Sequence, residues 1–351
     1  MTKARQAQIL VLLIALLAAC GGTGGGDTTP STMNSNDTAS TATSGTSATT
    51  ATTVSTSDGD LPKVTVAVLG PGSLQWLHAV ARDQGFYAEH GVEVEDVQVQ
   101  NSSALVQAVA SGSANAGIAL GDNVIRAVDD GAPVIIVGGL IQKPALRLYG
   151  APGVTSPADL EGTQVTAGAV EGGTYDLMLY MLQQEGVDTS TLTPVAIANS
   201  RDRVVAMENG QVQGALLIPP FDTIAEEAGA VFLGWLDEYW LETPAIVNTD
   251  WAQENPEAAA GWTRGLAEAA RFFADPANKD AVVASLVAYT NVEEHVAEAA
   301  YDFIHPNEVF SPDLSVPPES LTNIVRFGTD VRGEEMGDFD PEKYLDLSYL
   351  E

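Results

Sequence analysis

The sequence predicts an α/β fold with a helical C-terminal part. Strand patterns and helix patterns alternate from about residue 61 to residue 240, and glycines close most of the predicted helices. Within this region the segment "PVIIVGGL" is apolar throughout, which is typical of a parallel strand covered on both faces. Beyond about residue 245 helical stripes dominate, as in "NPEAAAGWTRGLAEAARFFADP". This order of elements belongs to the α/β class.

The first cycle of strands and helices spans about 61–150. Val64, Val66 and Val68 alternate with other residues as in a strand, and Gly70-Pro71-Gly72 interrupts the pattern. With the helix and the strand that follow, this stretch has the size of a βαβ unit. The cycle continues with a helix around Leu105, the strand "AGIAL", the helix "DNVIRAVDDG" and the strand "PVIIVGGL".

A second cycle of similar layout spans about 151–240. It begins with the short helical turn "SPADLEG", and helices again alternate with short apolar strands. The strands are "TQVTAG", "LTPVAIA", "QGALLI" and "AVFLGWL", and the helices are "GGTYDLMLYMLQQEG", "SRDRVVAMENG" and "PPFDTIAEEAG".

The start of the chain has the pattern of an export signal. Lys3 and Arg5 precede an apolar run from Ile9 to Ala19. This run is shorter than the roughly 20 residues of a membrane-spanning helix, and it has the length of a signal-peptide core. Its end, Leu17-Ala18-Ala19-Cys20, resembles the bacterial lipobox, where a peptidase cuts before a cysteine that carries a lipid. We expect a signal peptide over 1–19 and lipidation at Cys20; the alternative is a plain signal peptide with an incidental cysteine.

Residues 20–60 form a low-complexity stretch of mostly Gly, Thr, Ser and Ala. Such a stretch cannot bury enough apolar surface to offset the entropy of ordering it. The sequence therefore predicts a disordered tether with a root-mean-square reach of roughly 35 Å. Cys20 is the one cysteine in the chain, so no disulfide can form within it.

The chain is strongly acidic. It has 47 Asp and Glu against 15 Lys and Arg, and removal of Lys3 and Arg5 with a signal peptide leaves 13 basic residues. A charge of this sign repels phosphate backbones and anionic lipid headgroups. The composition therefore predicts no nucleic-acid partner, and a solvated acidic surface is favoured over a polyanionic binding tail.

Four segments occur in an order and at a spacing that match a known family. They are "QGFYAEHGVEVE", "ALVQAVASGSANAGIAL", "PADLEGTQVTAG" and "RVVAMENGQVQGALLIPP". They resemble the periplasmic solute-binding proteins of the nitrate, sulfonate, taurine and thiamine-precursor ABC importers, over about 61–275. Asn115 and Gln213 stand where that family has Asp, at positions that look structural.

The resemblance implies a two-lobed periplasmic-binding-protein fold of type II. Lobe 1 would take 61–150 and about 245–351, lobe 2 would take 151–244, and the chain would cross near 149–152 and 242–247. Members of that family deliver a small-molecule ligand to an ABC permease and ATPase complex without a cofactor. We expect an extracytoplasmic monomer, held at the cell membrane by the lipid on Cys20.

Four strand-to-helix loops are candidates for the ligand site. In open α/β sheets ligands bind beyond the carboxyl ends of the strands, where helix N-termini present free N–H groups. Several of these residues also have a structural interpretation, as helix caps or core, and Asn199-Ser200-Arg201 is a weaker fifth loop. The candidates are Gly72, Ser73 and Trp76 in the first loop, Asp122 and Asn123 in the second, Gly172, Gly173, Thr174 and Tyr175 in the third, and Phe221 and Asp222 in the fourth.

Acidic residues near these loops disfavour a simple oxyanion. A neutral or amine-bearing heterocycle that stacks on Trp76, Tyr175 or Phe221 fits better, and a sulfonate-like or nitrate-like anion is the alternative. Arg147 could pair with an anionic ligand or form a salt bridge at the hinge.

Two other functions compete with solute delivery. A receptor that passes a signal to a membrane partner would have the same sequence features. An enzyme that forms a pyrimidine precursor is related to the family, but its motif rich in cysteine and histidine is absent here. The four histidines show no metal-ligand spacing, and we expect no catalytic residue and no metal site.

Overall fold

The computed structural model describes residues 61–351. The predicted signal peptide, the lipidation at Cys20 and the predicted tether lie outside the described residues. Within the described part, two five-stranded sheets are each covered by helices, and we call each sheet with its helices a lobe. The predicted α/β class with two lobes is confirmed.

The first sheet has the strand order β2-β1-β3-β10-β4. Strands β1, β2 and β3 are parallel, whereas β10 runs antiparallel between β3 and β4. Because β10 is antiparallel, its first residues lie at the same edge of the sheet as the carboxyl end of β3. The strands are β1 Lys63–Val68, β2 Glu93–Gln98, β3 Ala116–Ile118, β4 Val134–Ile141 and β10 Thr243–Asn248.

The second sheet has the order β7-β6-β8-β5-β9 and the same plan. Strands β6, β7 and β8 are parallel, and β5 runs antiparallel between β8 and β9. Each sheet thus receives one antiparallel strand directly after the chain has crossed over from the other sheet. The strands are β5 Arg147–Gly150, β6 Gln164–Thr166, β7 Thr193–Pro194, β8 Gly214–Leu217 and β9 Val231–Trp235.

The two crossovers lie earlier than expected from the sequence. They occupy residues 142–146, between β4 and β5, and residues 236–242, between β9 and β10. The expected crossovers near 149–152 and 242–247 overlap β5 and β10, whose residues pair along the sheets. The lobe boundaries at 150/151 and 244/245 stay a prediction.

Helices cover both sheets, and the C-terminal part is helical as predicted. The first lobe carries α1 to α4 and the second lobe α5 to α7. The helices are α1 Trp76–Asp83, α2 Phe86–Glu89, α3 Ser102–Ala110, α4 Gly121–Asp129, α5 Gly173–Gln184, α6 Ser200–Glu208, α7 Phe221–Glu227, α8 Thr249–Glu254, α9 Pro256–Ala274, α10 Lys279–Thr290, α11 Glu294–Ile304 and α12 Pro318–Arg332.

The expectation that the apolar strand β4 lies beside a parallel neighbour is wrong. Among the described strands β4 pairs with β10 alone, in antiparallel orientation. Its other edge is covered by the C-terminal chain, because Gly139 N donates to Leu314 O and Asp346 N donates to Ile136 O, both at 2.8 Å. An apolar run shows that a strand is buried, but it does not show what buries it.

Helix α12 packs against both lobes. Phe327 stacks on Tyr180 of α5, with ring centroids 3.9 Å apart and planes at 15°. Arg332 Nη1 lies 3.1 Å from Asp176 Oδ2, also on α5. Ile324 lies against Gly121 at the start of α4. The C-terminal helix therefore joins α4 of the first lobe to α5 of the second.

We predict that Gly139→Ala destabilises the fold by about 1–3 kcal/mol, because the close approach of the C-terminal chain leaves no room for a side chain. A β-carbon at Gly139 would lie 2.9 Å from Ser315 O and 3.1 Å from atoms of Leu241 and Val316. Gly234→Ala in β9 is the control, since no described atom lies within 4 Å of its β-carbon. Urea unfolding measures both variants, and equal stabilities would contradict the prediction.

Candidate ligand-binding site

The four predicted loops meet where the two lobes face each other. Ser73 N, in the loop after β1, donates to Pro219 O, in the loop after β8, at 3.0 Å. Gly173 N, at the start of α5, donates to Asp122 Oδ2, at the start of α4, at 2.9 Å. Each hydrogen bond joins one lobe to the other. The lobes are in direct contact, so the structure is a closed arrangement.

Asp122 is the centre of the contact between α4 and α5. Its buried carboxylate accepts the Gly173 N–H through Oδ2, and the same atom lies 2.7 Å from Arg126 Nη2. Gly172 is the N-cap of α5 and provides no side-chain cap. The carboxylate from the other lobe therefore satisfies an N–H at the start of this helix, where negative charge is favourable.

Glycines permit this close approach of the lobes. A β-carbon on Gly173 would lie 2.6 Å from Asp122 Cβ, and one on Gly72 would lie 2.9 Å from Ile218 Cδ1. At Gly173 the closed arrangement leaves no room for a side chain, whereas at Gly72 the terminal methyl group of Ile218 would have to shift. In the structure these glycines let the opposite lobe come close, and their role as ligand-site residues stays a prediction.

The other candidates of the second and third loops have different surroundings. Thr174 is buried, and its hydroxyl donates to Ala167 O within the second lobe. Tyr175 is half-buried, and burial together with the charge of Asp176 raises the pKa of its phenol. Asn123 is partly buried in the first turn of α4. Tyr175 is thus partly exposed, unlike Trp76 and Phe221.

Phe221 and Asp222 are both buried at the start of α7. The Arg201 guanidinium lies over the Phe221 ring, 5.3 Å from its centroid. Asp222 Oδ2 lies 2.8 Å from Arg147 Nη1, and burial raises the pKa of this carboxyl. Of the two roles considered for Arg147, the structure therefore shows the salt bridge, next to the first crossover.

Trp76 lies in the hydrophobic core of the first lobe. Its side chain is fully buried, its ring packs edge-on against Phe273 and Phe310, and its indole N–H donates to Val282 O at 2.9 Å. This placement does not support the expectation that a ligand stacks on Trp76. Helical spacing alone did not distinguish a core position from a cleft position.

Buried polar atoms lie at the same strand ends; of the residues that carry them, the sequence analysis named Ser73, Asp122 and Arg147 and missed Gln75, Thr166, Glu242 and Thr243. They share two properties: almost no exposure, and no hydrogen-bond partner among residues 61–351. A buried polar side chain at the end of an apolar strand is the sequence signal that could have identified them. The atoms are Ser73 Oγ, Gln75 Oε1, Asp122 Oδ1, Arg147 Nε, Thr166 Oγ1, Glu242 Oε1 and Thr243 Oγ1.

Glu242 and Arg203 are two further buried titratable groups of this region. Glu242 Oε2 accepts the Ala145 N–H at 2.6 Å, so the carboxyl connects the second crossover to the first. Burial raises the pKa of Glu242 to about 8. Arg203 donates to the carbonyls of Ile197, Ala198 and Leu216, and burial lowers its pKa to about 10.

A separate groove of about 330 Å³ lies between α6, α7 and the turn that precedes α11. Arg201, Val205 and Phe221 line its second-lobe side, and Val292 and Val296 line the other. Apart from Phe221 it contains none of the predicted site residues. Its open apolar wall lacks the buried polar groups found at the strand ends, so we place the candidate site between the lobes.

None of the helices within residues 61–351 combines the length and the apolar content that a membrane-spanning helix requires. No group of three or more His, Cys, Asp or Glu side chains is arranged to hold a metal ion in that range.

We predict that Gly173→Ala opens the lobes, because its methyl group would displace Asp122. Small-angle scattering should give a larger radius of gyration than for the wild type. Ala228→Val is the control, since Ala228 is exposed at the end of α7. A radius of gyration equal to that of the wild type would show that the contact does not hold the lobes together.

We predict that Glu242→Gln removes a pH dependence of stability. The unfolded chain releases the Glu242 proton near pH 4.5, whereas the folded protein keeps it until about pH 8. The folded state binds more protons between these values, so stability falls as pH rises, by up to about 1.4 kcal/mol per pH unit. Urea unfolding from pH 5 to 9 compares both proteins, and parallel curves would contradict the prediction.

The sequence and the structure are similar to those of solute-binding proteins. Over 114 residues, 31% of this chain, the sequence is 28% identical to the nitrate/nitrite binding protein NrtA of Synechococcus elongatus, and the match spans 26% of that relative's length. The structure resembles the ligand-binding component of an ABC-type import system from Staphylococcus aureus, which was solved with zinc bound. The TM-score is 0.69 and the sequence identity 12%, and the match covers 82% of this chain and 98% of that one.

A second similar structure is the periplasmic aliphatic sulphonate binding protein SsuA from Escherichia coli. Its TM-score is 0.63 and its identity is 17%, over 78% of this chain and 92% of that one. The structural likeness establishes the periplasmic-binding-protein fold. The sequence model of the family described as NMT1/THI5 like matches residues 78–279, more than half of the chain. The chain therefore belongs to the NMT1/THI5-like family.

Proposed function

We propose that this protein is an extracytoplasmic solute-binding protein that delivers a small organic solute to an ABC importer. The names of the similar proteins support this proposal, since they include a nitrate/nitrite binding protein, a sulphonate binding protein and a component of an ABC-type import system. Membership of the NMT1/THI5-like family is consistent with it.

The observation that carries the proposal is the buried polar surface where the lobes meet. Loops after β1, β3, β6 and β8 come together, and side chains from both lobes bury polar atoms there. A small solute held between the lobes would touch both of them only in the closed arrangement. Its binding energy would therefore favour closure, and closure presents the permease with a distinct loaded form.

The favoured solute is neutral or an amine-bearing heterocycle. Tyr175 is the aromatic candidate for stacking, since it is partly exposed whereas Trp76 and Phe221 are buried. Asp122 and Asp176 near the contact are each paired with an arginine, Arg126 and Arg332, so the argument for this class rests on stacking. A nitrate-like or sulfonate-like solute is the alternative, because two of the similar proteins bear those names.

Binding is favoured over catalysis because the histidines are engaged away from the strand-end contact. His78 contacts Tyr87 and Asp96, His90 contacts Glu268, and His295 contacts Glu227. The fourth, His305, lies 3.0 Å from Ala274 O. None of these pairs places a general base next to a nucleophile at the loops.

Solute retention tests the proposal. The full-length protein is incubated with a small-molecule extract of its host cells and dialysed, and retained compounds are identified by mass spectrometry. We expect one retained organic solute, and returning it to solute-free protein should lower the radius of gyration. If no compound is retained, the proposed function is wrong.

The proposed anchor has its own test. We expect Cys20→Ala to release the protein from the membrane fraction without changing its fold, because the thiol is the proposed lipid attachment point. Membrane fractionation with circular dichroism of the released protein measures both effects. A variant that stays in the membrane pellet like the wild type would show that the anchor lies elsewhere.

A further inference from the structure

We propose that the groove between α6, α7 and the turn that precedes α11 is a docking surface for a partner protein. Its occupant is a segment that places a Lys or Arg side chain beside an apolar side chain. This groove is separate from the candidate site at the strand ends. The inference therefore goes beyond the proposed function and holds whichever solute the protein carries.

The inside of the groove is apolar on all three walls. Helix α6 contributes Val205, α7 contributes Ile224 and the turn before α11 contributes Val292, while the buried side chains of Phe221 and Val296 complete the apolar lining. Val205 is 49% exposed, the highest value among the large hydrophobic side chains of the described chain. A single exposed valine is ordinary, but partly exposed aliphatic side chains on every wall of one groove form a surface that a partner can cover.

Each wall also carries an exposed glutamate that lines the groove. These are Glu208 on α6, Glu227 on α7 and Glu293 directly before α11. On both helices the glutamate follows the aliphatic residue of its wall by one helical turn, so the two side chains share the face that borders the groove. Carboxylates around an apolar lining attract a cationic group.

The cations near the groove do not balance these carboxylates. Arg201 is the one Arg or Lys among the lining residues, and its guanidinium lies over the Phe221 ring while its Nη2 donates to Thr290 O at 3.2 Å. His295 Nε2 lies 2.8 Å from Glu227 Oε1. The other two glutamates form no salt bridge with any described residue. The groove thus keeps an excess of negative charge.

The walls of the groove belong to different lobes. Helices α6 and α7 cover the second sheet, whereas α10, which leads into the turn, is attached to α1 of the first lobe. Trp76 Nε1 donates to Val282 O at 2.9 Å, and Ser285 Oγ donates to Asp83 Oδ2 at 2.7 Å. A segment that touches both walls would favour the closed arrangement, because the groove is complete only there.

A Lys or Arg side chain fits this combination of apolar walls and carboxylates. Its methylene stem can lie on the aliphatic side chains while its charged end meets the glutamates. The volume of about 330 Å³ is at the lower end for small-molecule pockets, which bury most of their ligand. With Val205 half exposed the groove is too open to do so, whereas a segment of a larger partner gains further contacts around it.

Selection from a library of random peptides displayed on phage, with the full-length protein as target, provides the probe. We expect the enriched peptides to carry Lys or Arg next to apolar residues. The chain has 47 Asp and Glu against 15 Lys and Arg, so its overall charge would also retain basic peptides at other places. The position of binding therefore decides, and it is measured with a selected peptide made by synthesis.

Two matched pairs of full-length variants locate the binding by calorimetric titration of that peptide. Val205→Lys should weaken binding roughly tenfold, because a like charge replaces part of the apolar wall. Val97→Lys on β2 is its control, since it changes the net charge equally at another exposed valine. Glu293→Gln should weaken binding about threefold, as expected for an exposed ion pair. Its control is Glu257→Gln, at an exposed position on α9.

Circular dichroism confirms that each variant is folded. Enrichment of acidic or uncharged peptides, failure to enrich any peptide, or equal affinity of the wild type and either groove variant would overturn the inference. Each of these results would leave solute binding intact, because the retention experiment does not involve the groove.

Two other occupants would also overturn the inference. Self-association in sedimentation experiments that Val205→Lys abolishes and Val97→Lys preserves would assign the groove to a second copy of the chain. Binding to phosphatidylcholine vesicles with the same response to the two variants would assign it to a lipid surface.

Discussion

The hydrogen bond from Gly173 N to Asp122 Oδ2 is the contact on which the site depends. It places a carboxylate of the first lobe at the start of a helix of the second, where the helix lacks a side-chain cap of its own. The approach is possible because residue 173 has no β-carbon. With the Ser73–Pro219 hydrogen bond, this contact covers the strand ends and buries the polar atoms around them.

The two sheets explain why these groups meet. In each sheet the strand that directly follows a crossover runs antiparallel to its neighbours: β10 is the last strand to join the first sheet, and β5 is the first strand of the second. In the first sheet this brings Glu242 beside the end of β3, and its carboxyl reaches back to Ala145 in the other crossover. One buried side chain therefore connects both chain crossings to the surface that the lobes share. A change of the angle between the lobes must therefore alter the surroundings of the Glu242 carboxyl.

The sequence predicted the α/β class, nearly all helices and the loops that meet, because hydrophobic period and glycine positions are local signals. It did not predict the antiparallel pairing of β4, since burial by the C-terminal chain and burial by a parallel strand give the same apolar run. Trp76 and Glu242 show the same limit for the site. A tryptophan in the first turn of a helix faces the core or the cleft according to what packs over it. The complete burial of the Glu242 carboxyl likewise depends on surroundings that only the folded chain defines.

Helix α12 affects the rate at which the two lobes can separate. Its Phe327 ring stacks on Tyr180 and its Arg332 contacts Asp176, so the C-terminal helix is attached to α5 of the second lobe while Ile324 touches the start of α4 in the first. For the lobes to separate widely, these contacts of α12 must first break or shift. Opening is then an activated step, and the residence time of a solute is set by that barrier as well as by its own contacts. If a solute is bound between the lobes as proposed, its release requires these contacts of α12 to break or shift first.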